Sequence, residues 1–187
     1  MERNRHHRKR CRRYDIAGHA HELTFSCYGG RAFLKGERAL GYLVQAVQEG
    51  RMQHNFSVWA YVFMPEHVHL LICPNSEEYS ISKILQRIKQ PVGRKVIGYC
   101  RRYRPTGLKW LETGQNNPTY RFWQDGGGYD RNISKDETLI KIVKYIHENP
   151  VRRGLVSKTV DYRWSSARAW EGMETELAID SRTWPLD

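Results

Sequence analysis

Residues 55 to 74 read NFSVWAYVFMPEHVHLLICP, and no other stretch of the chain limits the fold as much. Two β-branched and aromatic runs flank a Pro-Glu-His turn, which is the pattern of a β-hairpin with one strand over 55–64 and its return over 67–74. Side chains alternate between the two faces of a strand. Val68, Leu70 and Ile72 therefore share one face, and His67, His69, Leu71 and Cys73 the other. The first set is a core face. The second carries two imidazoles about 6 to 7 Å apart at Cα, a spacing that lets both rings converge on one ion above the sheet. Imidazole is the commonest nitrogen ligand for transition metals. The plain alternative is a pair of partly exposed strand histidines without a shared partner, in a chain that holds eight histidines. Two histidines alone also make a weak site, so a third ligand would have to come from elsewhere.

The rest of the chain supplies helices and further strands around this hairpin. HELTFSCY (21–28) reads as a strand, and GERALGYLVQAVQEGRM (36–52) has helical spacing of Leu40, Leu43, Val44 and Val47. Residues 81–103 carry an apolar stripe at 81, 84, 85, 88, 92 and 96, with an interruption expected near Pro91. YRFWQ (120–124) and YDRNI (129–133) read as short strands across a DGGG turn. A helix over 134–150 is expected to start at a Ser134/Glu137 capping box and to stop at Pro150. The order β-α-β-β-α-β-β-α points to an α+β fold, a ferredoxin-like antiparallel sheet of about five strands with helices packed on it. The 187 residues suit one domain over 14–172, preceded by a basic arm (1–13) and followed by a polar tail (173–187).

Charge indicates the partner class. The net charge is +11, which favours a polyanion, either nucleic acid or an anionic membrane. The arm holds seven Arg or Lys against one acid. From Tyr79 to Leu111 there are nine Lys or Arg and no acid at all. Candidate nucleic-acid phosphate contacts are Arg10, Arg12 and Arg13 in the arm; Lys83, Arg87, Arg94, Lys95, Arg101 and Arg102 in the second basic run; and Arg152 and Arg153. A solvated basic surface is the competing reading. Trp110, Tyr120 and Trp123 could stack unpaired bases or serve the core. Four scattered cysteines without a CxxC give neither a zinc-finger spacing nor a disulfide scaffold. With no apolar segment of signal-peptide or membrane-span type, the expectation is a reduced, cytoplasmic chain without a membrane partner.

The 134–150 helix carries the other candidate group. Its core stripe is Leu139, Ile142, Val143 and Ile146, and Tyr145 and Asn149 fall together on one border, four residues apart. A phenol and an amide are thus displayed side by side. Amphipathic packing of the tyrosine and a helix-ending asparagine before Pro150 would account for the same residues.

These stretches together resemble a known family. MPEHVHLLI resembles the HUH signature of single-tyrosine transposases, and YIHENPVRRGLV is similar to the tyrosine helix of the REP-associated tyrosine transposases. GHAHELTFSCY, FWQDGGGYDRNI and YRWSSARAW are similar to that family's first strand, pre-helix segment and terminal motif, in the family's order, over about residues 14–172. The resemblance implies an HUH nuclease fold with the HUH strand central. It implies a site-specific single-stranded DNA endonuclease and strand transferase that acts near DNA hairpins through a covalent 5′-phosphotyrosine. Tyr145 would be the nucleophile, and His67, His69 and Asn149 the ligands of a divalent metal, Mg²⁺ or Mn²⁺. The partner would be single-stranded or hairpin DNA, and the chain a monomer or homodimer. A hairpin-binding protein that does not cut, and an HUH nuclease of replication or relaxase type, are the alternatives.

Overall fold

The hairpin forms where its pattern places it. The computed structural model describes residues 14–117 and 119–180. Its elements in chain order are β1 (Ala20–Ser26), α1 (Glu37–His54), β2 (Phe56–Phe63), β3 (His67–Pro74), α2 (Ile81–Tyr103), β4 (Tyr129–Ile133), α3 (Asp136–Arg152) and α4 (Ala167–Trp170). The sheet order is β2-β3-β1-β4 and every pairing is antiparallel, so the histidine-bearing strand is internal. This is the expected α+β arrangement of an antiparallel sheet with helices packed on it.

Each face of the sheet has its own helical layer. Val68, Leu70 and Ile72 of β3, with Leu23 and Phe25 of β1, are buried against Leu40, Leu43 and Val47 of α1 and Ile81, Ile84 and Ile88 of α2. Leu71, Val62 and Ile133 on the opposite face pack with Leu139, Ile142, Val143 and Ile146, the stripe of α3. Period two in the strands and period 3.6 in the helices thus meet on both sides. A bulge at Trp59, between the pairs Val58–Ile72 and Ala60–Leu71, turns both Trp59 and Ala60 toward the α3 side. The outer edge of β2 is covered by the YRWSSARAW segment: Phe63 N–H donates to the Trp164 carbonyl at 2.9 Å, and Tyr61 N–H to Ser166 Oγ at 2.8 Å. Over residues 173–180 the chain stays on the domain. Leu177 is fully buried, and Asp180 accepts from the Val58 N–H at 2.8 Å.

Four expectations are corrected. The sheet among the described residues has four strands, because residues 120–124 make only isolated bridges (Glu112–Tyr120 and Cys27–Trp123). Phe122 and Trp123 are consecutive yet both enter the α1/α2-side core, which an alternating strand does not allow. The Ser134/Glu137 capping box does not form. Lys135 is the N-cap without a side-chain cap bond, its carbonyl accepts from Thr138 and Leu139, and Asp136 and Glu137 place negative charge in the first turn. Pro150 does not stop α3, which runs to Arg152. In the last turn the missing N–H costs a single bond, and the end is made instead by Gly154 at φ +68. Nor does Pro91 interrupt α2, whose buried Leu85, Ile88 and Val92 hold the helix against the core on both sides of it.

Gly128 shows how tightly β4 is seated. It has φ +76, and a Cβ there would stand 2.1 Å from the backbone oxygen of Thr24. Gly128→Ala is therefore expected to destabilise the domain by about 3 kcal/mol or more, from steric overlap with backbone plus left-handed strain. Urea unfolding measures this, and an unchanged midpoint would contradict the packing described. No helix among the described residues is long and apolar enough to cross a membrane.

Candidate active site

The two histidines and the helix-borne tyrosine come together on one face. His67 and His69 project toward the α3 side of β3, and the α3 stripe docks on that same side. This docking stands Tyr145 over the sheet: its ring lies edge-on to His69, with centroids 5.4 Å apart and planes at 84°. The two imidazoles are themselves edge-to-face at 4.8 Å between centroids, and their Nε2 atoms approach to 3.1 Å. His69 is buried, and His67 is partly open to solvent.

The outer nitrogens decide what the inner ones can do. His67 Nδ1 is 3.2 Å from Glu66 Oε1, an oxygen also held by Arg153 at 2.6 Å. A carboxylate only accepts, so Nδ1 of His67 carries the hydrogen and its Nε2 presents a lone pair. His69 Nδ1 is 2.8 Å from Thr24 Oγ1, a hydroxyl that can donate or accept. With Thr24 donating, His69 Nε2–H donates to His67 Nε2. With Thr24 accepting, both Nε2 lone pairs face one point. The second arrangement is the donor set of a cation site, with each imidazole oriented through its far nitrogen. Burial lowers both imidazole pKa values, His69 to about 4 with the neighbouring His67 as the second cause, so both are neutral at physiological pH. Glu66 opposes the shift of His67.

Asn149 is buried and donates from Nδ2 to the Tyr145 carbonyl at 2.8 Å, while its Oδ1 accepts no hydrogen bond among the described residues. Among those residues no cluster of three His, Cys, Asp or Glu could hold a metal. The donors brought together here are two neutral imidazoles, and no hydrogen bond among the described residues joins Asn149 to them. That set suits a divalent ion that keeps positions open. Tyr145 is 39% exposed, its hydroxyl makes no hydrogen bond among the described residues, and the Arg152 guanidinium lies 5.4 Å from its ring centroid.

The cationic candidates divide between the two faces. Arg152 and Arg153 flank the histidine–tyrosine face through the contacts just given. Lys83, Arg87, Arg94, Lys95, Arg101 and Arg102 lie on α2, which packs on the opposite face. There Arg87 is tied to Glu49 at 2.9 Å and Lys95 to Gln45 at 2.8 Å. Arg101 and Arg102 cover the rings of Tyr120 and Tyr103. Lys83 and Arg94 are exposed. Arg10, Arg12 and Arg13 lie outside the described residues. Trp123 is buried in the core and Tyr120 packs against it, while Trp110 is exposed.

Three polar residues of this face escape a reading of the sequence. Thr24 and Glu66 orient the histidines. Glu22, on the same face of β1 as Thr24, is buried, which pushes its carboxyl above the usual range against the opposing pull of Arg131. Glu66 sits inside the MPEHVHLLI stretch, where nothing singles it out, and Thr24 is marked only by its register opposite His69.

The buried neutral histidines make the fold acid-sensitive. His69 and His147, the latter 2.8 Å from Ser166 Oγ, are both lowered to about 4 by burial. The unfolded chain binds protons at about pH 6.5, the folded one only near 4. This stability is therefore present above about pH 6.5 and is lost as the pH falls toward 4. The melting temperature should drop across that window, and a flat profile would contradict the burial.

Comparison with known proteins gives the family and the fold. A Haemophilus influenzae protein assigned as a REP-associated tyrosine transposase is 27% identical over 139 residues, covering 70% of this chain and 73% of that one. The solved structure of a REP-associated tyrosine transposase bound to a REP hairpin shares the fold, with a TM-score of 0.65 at 21% identity over 92% of both chains. The family model described as transposase, IS200-like, matches residues 19–149, which include β1 through the histidine strand to Asn149 of the tyrosine helix. The chain belongs to the IS200-like transposase family.

Proposed function

We propose that this transposase cuts and rejoins single-stranded DNA next to hairpins, with Tyr145 as the nucleophile and the His67–His69 pair as the electrophilic side of the site. The observation that carries the reading is the edge-on seat of Tyr145 against His69, at 5.4 Å. Both halves are taken from one chain in this reading. The hairpin as partner follows from the solved relative, which holds a REP hairpin, and from the net charge of +11.

The reaction needs an oxygen that can attack phosphorus and later leave. Tyr145 Oη forms a bond to phosphorus and gives up its proton. The bond from phosphorus to the 3′-oxygen breaks, and that oxygen takes a proton to become a free 3′-OH. The chain then holds the 5′-phosphate as a phosphotyrosine, and attack by a 3′-OH reverses the step without an external energy source. Arg152, over the Tyr145 ring, puts a positive charge where the DNA phosphate would arrive. The Glu66 and Thr24 bonds keep the two Nε2 atoms aimed at one point. A Mg²⁺ or Mn²⁺ ion held by His67, His69 and Asn149 would polarise the phosphoryl oxygen and offset the entering charge.

End-labelled hairpin oligonucleotides with single-stranded flanks, incubated with Mg²⁺ or Mn²⁺, test the proposal. Label at the 3′ end should become covalently bound to protein, and label at the 5′ end should appear on a shorter free fragment. Tight hairpin binding with neither product would favour a protein that holds hairpins without cutting them.

A further inference from the structure

The face that carries the histidines is only half covered. α3 lies over β2 and β3, while on the neighbouring strands β1 and β4 the side chains of Thr24, Ser26, Tyr129 and Arg131 are wholly or partly open. Parity in β4 is firm. Asp130 turns to the other face and meets His21 at 2.9 Å, and Ile133 joins the α3 cluster. Tyr129 and Arg131 therefore point to the histidine side. Thr24 pairs with His69 on one flank and with Tyr129 on the other, so all three stand in one row across the sheet. Two strand spacings separate Tyr129 from His69, about 10 Å. One nucleotide spans that distance, its phosphate at the histidines and its base at the tyrosine. Tyr129 is 50% exposed, and its side chain makes no hydrogen bond, ring or cation contact among the described residues. Along the same strand Asp130 pairs with His21, Asn132 donates to the Tyr14 carbonyl and Ile133 fills a core, whereas this ring has no such partner among the described residues. Gly128, which admits no side chain, presses the start of β4 onto the Thr24 backbone and so fixes the ring beside the site.

We propose that Tyr129 is the stacking platform for the base of the nucleotide that flanks the phosphodiester set at His67 and His69, with Arg131 holding the backbone beside it. The inference rests on the nuclease reading for the phosphate's position. An exposed phenol face on a rigid strand stacks any base, so this contact gives affinity and alignment with little sequence preference.

The test uses the full chain with Tyr145→Phe, which cannot form an adduct, and a short fluorescent oligothymidylate at low salt. Tyr129→Ala should weaken binding about tenfold, the scale of one lost base stack, and Tyr129→Phe should stay within about twofold. Melting temperatures should not change. An oligothymidylate carrying 5-iodouracil should cross-link to Tyr129 under ultraviolet light, mapped by mass spectrometry. Equal affinity of Tyr129→Ala would overturn the proposal, and so would cross-links only elsewhere or loss of affinity in Tyr129→Phe. The two readings fail separately. Lack of a covalent adduct in the wild-type chain sinks the nuclease but leaves a Tyr129 cross-link standing. Adduct formation with unchanged Tyr129→Ala binding sinks the platform alone.

Discussion

Replacing Tyr145 with Phe is expected to abolish strand cleavage and the covalent protein–DNA species, with a loss on the order of 10⁴-fold or more, while hairpin affinity and melting temperature should stay at wild-type values. The size follows from removing the attacking atom itself rather than a group that assists it. The specificity follows from what Phe keeps. The ring still lies edge-on to His69 and under Arg152, contacts that need no hydroxyl. The hydroxyl has no hydrogen-bond partner among the described residues, so its loss strands no buried group. Gel-shift affinity, thermal melting and the denaturing-gel adduct assay on one preparation separate these effects. Persisting adduct in the Phe variant would remove Tyr145 from the chemistry.

Substituting the histidines tests the other half. His67→Ala should lose Mn²⁺ binding, followed by electron paramagnetic resonance, and should reduce cleavage more than about a hundredfold. His67 is the cleaner choice, because its side chain is 17% exposed whereas His69 is buried and leaves a cavity. Glu66→Gln is expected to act more mildly, with about a 10- to 100-fold loss of Mn²⁺ affinity, since it disturbs orientation without removing a ligand. Hairpin binding should survive both changes. Full Mn²⁺ affinity in His67→Ala would mean that the paired imidazoles hold no ion.

What the sequence revealed of this site, and what it withheld, divides by range. The alternation in His67–Cys73 and the four-residue step from Tyr145 to Asn149 are local periodicities, and both survive in the fold. That they share a face depends on which side of the sheet α3 docks. The Leu139–Ile146 stripe shows that the helix docks by that face, but not on which side of the sheet. Thr24 lies 45 residues from His69 and is joined to it only through strand register. The long basic run reads as one surface with Arg152 and Arg153, yet the stripe of α2 carries it to the opposite layer. Phe122 and Trp123 look like strand residues by composition; consecutive burial in one core makes them a loop. Pro150 is a helix breaker by propensity, tolerated where the last turn has few bonds left to lose. Local chemistry was legible, and the handedness and register that assemble it were not.

A crystal of the chain soaked in Mn²⁺, with anomalous scattering recorded, addresses the geometry most directly. The account predicts one strong peak bonded to Nε2 of both His67 and His69, on the face that carries Tyr145. Manganese bound elsewhere on the chain, with the two Nε2 atoms still hydrogen-bonded to each other at concentrations that support cleavage, would contradict it.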